Sequence, residues 1–260
     1  PDLELVHRLD RDTSGCLLVA KRRAALRDLH LQLREGQTEK HYLALVCGKW
    51  NLGTKRIELA LDTDERRSGE RHVAVRAHGK KSVSTFKPVQ FFGNLATLLE
   101  VEIDTGKTHQ IRVHAAHAGH PVAGDDKYGN RIFNGIFKDY GLKRMFLHSS
   151  SLGFTRPGTR EPMLASAPLP PELSAVLDTL TRGKARAPQD ERGKTLKPEG
   201  ARGPIVAPRV QRPAPVVQTG KPRMGNPRTG GAKPGTPGPV RGSGPVRGEG
   251  RRRARATGGR

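Results

Sequence analysis

The stretch with the most reactive side chains is His7–Gly15, which reads HRLDRDTSG. It places Asp10 between Arg8 and Arg11 and joins two short apolar segments through a polar turn. A carboxylate flanked by guanidinium groups stays ionised at neutral pH and can act as a nucleophile or a base. The alternative is a surface turn whose charges merely pair, and composition alone favours that alternative.

Arg112, far along the chain, is a candidate partner for this carboxylate, and Tyr42 is a separate candidate site residue. Arg112 lies in a predicted helix, and a bidentate arginine–carboxylate contact would hold Asp10 charged and oriented. The sequence alone does not show that the two meet. Tyr42 lies in a predicted strand, where β-propensity and core packing explain it. A ring that faces a cleft could instead stack on an unpaired base.

Four histidines, His109, His114, His117 and His120, form a dense cluster. His114 and His117 could share one face of a helix, so a zinc site, and with it a zinc hydrolase, is one alternative. No acidic residue stands among the four, and Arg112 in their midst would repel a divalent ion. The favoured interpretation is that they hydrogen-bond locally or approach RNA phosphates, and no metal ligand is predicted.

The elements that must position these residues are mostly strands. Strands are predicted at residues 16–20, 41–47, 83–92 and 95–103. The first of these, CLLVA, is typical of a buried strand, and Pro88 interrupts the third. Because strands outnumber helices and do not alternate with them, we predict an α+β fold with a mixed, mostly antiparallel sheet and flanking helices.

Two helices are predicted from periodicity and end signals. Residues 22–35 carry three leucines on one face, and Gly36 follows as a stop. Thr108 is predicted to cap a second helix that runs to about Ala118. This second helix carries Arg112, so it must bring that guanidinium to the segment around Asp10.

Positive charge is distributed unevenly along the chain. The 260 residues have a formal net charge of +22, and residues 183–260 hold 19 Lys and Arg against 4 Asp and Glu. The same segment has 28 Gly or Pro among 78 residues, so it cannot bury enough apolar surface to offset its backbone entropy. We predict a folded α+β domain at residues 1–182 and a disordered basic tail at 183–260, which either contacts phosphates of a nucleic acid or serves as a solubilising extension.

Composition also excludes several classes of protein. No stretch approaches about 18 consecutive apolar residues, so we expect no membrane span. Two cysteines, Cys16 and Cys47, cannot staple a fold of this size. The excess of basic residues makes a polyanion the expected partner. The first residue is Pro1 rather than Met, so we expect that the true start of the protein lies upstream.

Five segments together resemble the pseudouridine synthase superfamily, in the branch that modifies large-subunit ribosomal RNA. In the family's order they are His7–Gly15 (HRLDRDTSG), Lys40–Gly48 (KHYLALVCG), Thr105–His114 (TGKTHQIRVH), Gly119–Gly129 (GHPVAGDDKYG) and Arg144–Pro157 (RMFLHSSSLGFTRP). The residues on either side of HRLD, DLELV and RDTSG, are most similar to the bacterial C group, which acts on 23S rRNA. The resemblance covers residues 1 to about 180.

The resemblance implies an isomerase that converts uridines of 23S rRNA to pseudouridine without cofactor, metal or ATP. It implies that Asp10 is the nucleophile and that Arg112 is its ion-pair partner. Tyr42 is expected to stack on the flipped base and to assist proton transfer at its C5 atom. Arg8 is expected to fill the space that the extruded base leaves in the RNA.

Further expectations follow from the same resemblance. Leu147 is expected to form an apolar wall of the base pocket, and Arg11, Lys107 and His109 are expected to contact RNA. The expected partner is 23S rRNA or the assembling large ribosomal subunit, bound by a cytoplasmic monomer. The alternative is a catalytically silent RNA-binding or ribosome-assembly protein on the same fold, which would have no need for the three catalytic residue types together.

The sequence departs from the family pattern in two respects. The family's first strand with its Lys-Pro turn, and an S4-type RNA-binding domain, do not precede HRLD here. We therefore expect a catalytic domain truncated at its N-terminus, with one strand missing from the sheet. Lys107 stands where relatives often have arginine, and a lysine reaches a phosphate with less directional specificity.

Overall fold

The computed structural model describes residues 3–65, 71–183, 188–189 and 193–198. The predicted tail at 183–260 therefore lies almost wholly outside the described residues. The described strands are β1 Glu4–Leu5, β2 Ser14–Gly15, β3 Val19–Ala20, β4 Glu39–Cys47, β5 Lys55–Glu65, β6 Arg71–Val75, β7 Lys80–Phe92, β8 Ala96–Ile103, β9 Leu147–Thr155 and β10 Pro162–Ser166. The described helices are α1 Arg23–Glu35, α2 Gln110–His117, α3 Arg131–Asp139 and α4 Pro171–Arg182.

Seven of these strands form one antiparallel sheet. Their order is β10-β9-β4-β8-β7-β5-β6, and β2 adds to β9 in the parallel direction. β1 and β3 pair separately as a two-stranded ribbon. The predicted α+β fold with a mixed, mostly antiparallel sheet is confirmed, because the single parallel pairing is the short one between β2 and β9 in the described sheet.

The helix predicted at residues 22–35 is confirmed as α1. Its C-cap is Gly36, whose φ of 71° is left-handed and whose N–H donates to the carbonyl of Gln32. A glycine is favoured at such a cap because it has no Cβ to clash in that conformation. Within the described residues, no helix is long and apolar enough to cross a membrane.

The predicted start of the second helix is wrong by one residue. Thr108 does not cap α2, and the capping position is His109, whose φ of 54° is left-handed. The amide of Gln110 donates to the carbonyl of Lys107 at 3.1 Å, so a tight turn precedes the helix. This turn orients the first residues of α2 in place of a threonine cap.

The strand predicted at residues 16–20 is also largely wrong. Only Val19 and Ala20 pair as β3, while Leu17 and Val19 are 43% and 45% exposed. Cys16 and Ala20 are buried, so alternate side chains point inward and outward. The apolar run lies at the margin of the fold and pairs over two residues with β1, and it is therefore not the fully buried strand that its composition predicts.

The strand predicted at 83–92 forms as part of the longer β7. Pro88 does not end this strand, because the register against β8 shifts between Pro88 and Gln90. A bulge of this kind accommodates a residue that has no N–H to give to the ladder. The strands predicted at 41–47 and 95–103 are confirmed as β4 and β8.

The two faces of the sheet bury different clusters of side chains. On one face, Leu45 of β4 packs with buried residues of α3 and α4 such as Phe133 and Leu180. On the other face, Val46 packs with Trp50 and with Ile111 of α2. Consecutive residues of β4 thus serve opposite clusters, as the two-residue period of a strand requires. The face that carries α2 is the one on which Arg112 is delivered.

Candidate active site

The segment that carries Asp10 is a loop fixed to the end of β9. The carbonyl of Asp10 accepts from the amide of Thr13 at 3.0 Å, and the amide of Cys16 donates to the carbonyl of Ser149 at 2.9 Å. Gly15 has a φ of 117°, and a Cβ at this position would overlap the backbone carbonyl of Ser149. Glycine is therefore required here, both by backbone conformation and by the close approach of the two segments.

Arg144 holds the same loop from the side. Its Nη1 atom donates to the carbonyl of Asp12 at 3.0 Å, and its Nη2 atom donates to Ser14 Oγ at 2.9 Å. Nη2 also donates to a carboxylate oxygen of Glu172 at 3.0 Å, which ties the loop to α4. In the sequence, Arg144 is distinguished only as the first residue of a family segment, and no role was predicted for it.

Gln110 fixes the beginning of α2 on β7. Its Nε2 atom donates to the carbonyl of Val83 at 2.8 Å and to Ser84 Oγ at 2.9 Å. Its Oε1 atom accepts from Thr105 Oγ1 at 2.7 Å and from the amide of Lys107 at 3.1 Å. The buried amide thus holds both the helix and the preceding loop in place.

Arg112 and Asp10 meet, although they are separated by about a hundred residues. Arg112 Nη1 lies 3.4 Å from Asp10 Oδ2, and the two side chains are 12% and 19% exposed. The predicted bidentate contact, however, is not made with Asp10. Arg112 makes it with Asp125, through Nε to Oδ2 at 2.7 Å and Nη2 to Oδ1 at 2.9 Å.

Asp125 and Tyr128 are the residues of this network that the sequence analysis missed. The ring of Tyr128 lies 5.0 Å from the Cζ atom of Arg112, and its hydroxyl accepts from the amide of Val73 at 3.0 Å. Burial raises the pKa of Tyr128 to about 12. Both residues stand in the family segment GHPVAGDDKYG, so the only available signal was a carboxylate that follows an apolar run.

The pKa values of Arg112 and His109 are shifted in opposite directions. Burial by itself would lower the pKa of Arg112, but the adjacent carboxylates Asp125 and Asp10 raise it above its ordinary value. Burial, followed by the charge of Arg112, lowers the pKa of His109 to about 4. His109 is therefore neutral at neutral pH, and its Nδ1 atom lies 2.9 Å from the hydroxyl of Tyr128.

Tyr42 reaches the site from β4, which pairs with β8 and β9. Burial raises the pKa of Tyr42, while a hydrogen bond with Ser149 opposes this shift and the charge of Asp10 adds to it. The phenol is therefore protonated at neutral pH. It lies on the same face of the sheet as α2, where it packs against the cluster that contains Leu147.

A small pocket of about 90 Å³ collects most of the predicted site residues. Its lining includes Arg8, Asp10, Tyr42, Lys107, His109, Arg112 and Leu147. Arg11 does not line this pocket and instead lines an adjoining cleft of about 610 Å³. A second cleft of about 610 Å³ contains Tyr42, Lys107 and Arg34. Arg8 lines the pocket and both clefts.

The clustered histidines have separate local partners. His114 Nε2 lies 2.8 Å from Ser82 Oγ, and His120 Nδ1 lies 2.9 Å from the carbonyl of Cys47. Burial lowers the pKa of His114 to about 4. In the part of the chain that the structure describes, no group of three or more His, Cys, Asp or Glu could hold a metal ion.

The chain is similar in sequence to proteins of one known family. Residues 1–117 match the model described as RNA pseudouridylate synthase. The chain is 50% identical over 183 residues to the ribosomal large subunit pseudouridine synthase C of Pasteurella multocida, and 50% identical over 184 residues to that of Escherichia coli strain K12. Residues 1–117 therefore belong to the RNA pseudouridylate synthase family. The predicted resemblance to the C group of pseudouridine synthases is confirmed, because these relatives carry that name.

The alignments with these pseudouridine synthases cover 70% of this chain. They cover 56% of the Pasteurella protein and 57% of the Escherichia protein, so the chain spans somewhat more than half the length of the curated relatives that it matches. The solved structure of human RNA pseudouridylate synthase domain containing 1 is 27% identical, with a TM-score of 0.57 over 70% of this chain and 80% of that chain. The solved structure of human RNA pseudouridylate synthase domain containing 4 is 22% identical, with a TM-score of 0.57 over 69% of this chain and 76% of that chain. This second likeness supports the fold and no further conclusion.

Proposed function

We propose that this chain isomerises uridines of large-subunit 23S ribosomal RNA to pseudouridine. The observation that carries the proposal is the convergence of Asp10, Arg112 and Tyr42 on one small pocket, in a member of the pseudouridylate synthase family. The relatives named ribosomal large subunit pseudouridine synthase C support this class of RNA as the substrate.

The proposed reaction begins with extrusion of the target base. A uracil in an RNA stem must leave the stack before a carboxylate can reach it. The pocket offers the ring of Tyr42 for stacking and Leu147 as an apolar wall. Arg8, which is exposed and lines the pocket and both clefts, fills the space that the base leaves.

The chemical step then relies on Asp10. As the nucleophile, Asp10 attacks either the uracil ring or the sugar C1′ atom, and the N1–C1′ bond breaks. The base turns, the C5–C1′ bond forms, and the bond from Asp10 breaks, which returns the free carboxylate. The proton lost from C5 is balanced by a proton gained at N1. Arg112 supplies a counter-charge that is already in place, and the protonated Tyr42 assists the proton transfer at C5.

The mouth of the pocket is proposed to hold the RNA backbone. Arg8, Arg11 and Lys107 are exposed cations at the clefts, and His109 lies between the pocket and the cleft of Arg11. We assign catalysis to residues 1–182 and additional RNA phosphate contact to the basic tail at 183–260. The proposed substrate is free 23S rRNA or the assembling large subunit, and the proposed form is a cytoplasmic monomer that needs no cofactor.

Mapping of pseudouridines in 23S rRNA tests this function. We expect one or more sites to lose pseudouridine when the gene is deleted and to regain it with the wild-type gene. Asp10→Asn, which keeps the size of the side chain but removes the nucleophile, should restore none of these sites. Asp12→Asn removes the same charge from an exposed position two residues away and should restore them.

The alternative function makes the opposite forecast. A catalytically silent RNA-binding or assembly protein would leave every uridine unchanged on deletion, and Asp10→Asn would complement any defect in subunit assembly. Full restoration of pseudouridine by Asp10→Asn would equally refute the proposed enzyme.

A further inference from the structure

One guanidinium in the site is shared unequally between two carboxylates. Arg112 gives its Nε and Nη2 atoms to Asp125 at 2.7 and 2.9 Å, and only Nη1 reaches Asp10, at 3.4 Å. The side chain of Asp125 has no exposed surface, whereas that of Asp10 is 19% exposed. The tight, buried pair is therefore the one that does not face the pocket.

Asp125 is held by groups other than Arg112. Its Oδ1 atom accepts from the backbone amides of Lys127 at 2.9 Å and Tyr128 at 3.0 Å. Its backbone carbonyl accepts from Asn134 Nδ2 at 3.0 Å. Because the turn holds the carboxylate of Asp125 and α3 holds its backbone, Asp125 is the fixed partner against which the side chain of Arg112 is placed.

The plane of the guanidinium is fixed as well. The ring of Tyr128 lies 5.0 Å from the Cζ atom of Arg112, which is within the range of cation–π attraction. One edge of the guanidinium is paired to Asp125 and one face lies against Tyr128. Nη1 is the nitrogen that points to Asp10 in the pocket. Its direction is set before any substrate arrives, which is what a preorganised site requires.

We propose that Asp125 is a positioning residue for the nucleophile, which it leaves free by occupying the bidentate edge of Arg112. The inference rests on the proposed function. A carboxylate in a bidentate contact with arginine is fixed and has its oxygens engaged. Asp10 instead receives one long contact, so it stays close to its counter-charge and keeps oxygen lone pairs available for attack.

The charged and titratable groups that face Asp10 come from several elements. Arg112 and His109 lie on α2 and at its cap, Tyr42 lies on β4, and Tyr128 lies in the turn after Asp125. Arg8 and Lys107 line the pocket mouth. The histidine is neutral and both phenols are protonated near neutral pH. The charge balance at the nucleophile is therefore set by the cations together with Asp125.

Asp125→Asn in the full chain, assayed on 23S rRNA transcribed in vitro, tests the inference. The amide keeps an acceptor for the turn but removes one negative charge and one arginine contact. Arg112 is then free to turn toward Asp10, so we expect kcat to fall by about 100-fold while KM changes much less.

Two controls separate positioning from folding. Asp178→Asn removes the same charge from an exposed position of α4 and should leave both kcat and KM unchanged. Asp125→Glu keeps a carboxylate for Arg112, so it should recover more of kcat than Asp125→Asn at a similar KM. A rise in KM alone, or a folded Asp125→Asn with the kcat of the wild type, would overturn the inference.

A measurement that needs no change at Asp125 covers the case in which that variant does not fold. In the NMR spectrum of Asp10→Asn, the Arg112 Nε–H signal should persist with slow exchange, because Asp125 holds it without help from Asp10. Loss of this signal would overturn the inference. A wild-type chain that forms no pseudouridine would instead refute the proposed function and leave the NMR result to stand.

Discussion

At the scale of single residues, the site is defined by what each carboxylate is bonded to. The carboxylate of Asp125 accepts four hydrogen bonds and is buried, while the carboxylate of Asp10 keeps one contact with Arg112 at 3.4 Å. The sequence could predict Asp10 and Arg112, since both lie in distinctive motifs. It could not predict Asp125 as the bidentate partner, because that pairing depends on how the turn after residue 124 packs against α2.

His114 makes the stability of the fold depend on pH. Burial lowers its pKa to about 4, against 6.5 for an ordinary histidine. Between these values the unfolded chain binds more protons than the folded one, so the free energy of unfolding falls as pH is lowered, by up to about 3 kcal/mol. Urea denaturation across this range should show the decline, and His114→Gln should show a flatter one.

An exposed histidine supplies the control for this pH dependence. His78 lies on the surface, where its ring contacts Asp62, and His78→Gln is the matched substitution that leaves the buried imidazole of His114 in place. Parallel curves for the wild type and His114→Gln would contradict the assignment of the decline to His114.

At the scale of elements, a very short strand pairing positions the proposed nucleophile. The loop of Asp10 is attached through β2, two residues that pair in parallel with β9. The period of the side chains predicts α1, which buries one regular face. β4 and β8 bury residues on both faces of the sheet, and their apolar, strand-forming composition predicts them. The same reasoning fails for residues 16–20, where an apolar run alone does not show how many neighbours the segment has in the sheet.

Gly15→Ala should disrupt this attachment. The new Cβ would overlap the carbonyl of Ser149 and would sit at a φ of 117°, so the loop must move away from β9. We expect activity on 23S rRNA to fall by about 100-fold, because small displacements of a reacting group have effects of this size. The free energy of unfolding should fall as well. The loss should exceed the contribution of backbone strain alone, which is about 1 to 2 kcal/mol.

Gly141→Ala is the matched control for this substitution. Gly141 has a φ of 87°, but a Cβ there would meet no atom within 4 Å. This variant should lose only the backbone strain, about 1 to 2 kcal/mol, and should keep its activity. Equal losses of stability in the two variants would show that the contact with Ser149 is unimportant.

At the scale of the whole molecule, charge and catalysis are separated along the chain. Residues 199–260 hold 14 Lys and Arg against 2 Glu, whereas the proposed chemistry uses the ionised carboxylate of Asp10. Composition predicted a polyanionic partner, but only the family motifs predicted isomerisation. The net charge carries no information on the geometry that joins Asp10 to Arg112.

A chain that ends after Pro198 should bind 23S rRNA more weakly than the full chain and still form pseudouridine. This end keeps the described residues 193–198, in which Pro198 is buried against Gly48. The logarithm of the binding constant should also fall less steeply with the logarithm of salt concentration, by about 0.7 for each lost phosphate contact on single-stranded RNA. Filter binding at several salt concentrations measures both effects. Equal salt dependence of binding in the two chains would contradict the assignment of phosphate contacts to the tail. Loss of all turnover in a folded shortened chain would contradict the assignment of catalysis to the folded part.

The pocket and its two clefts differ greatly in size. The pocket measures about 90 Å³ and each cleft about 610 Å³, with Arg8 bordering all three. A free nucleoside would fill the pocket but leave both clefts to water, and it would forgo the phosphate contacts that supply much of the affinity for nucleic acid. Under the proposed function, the enzyme therefore binds free uridine weakly and selects uridine that is part of an RNA chain.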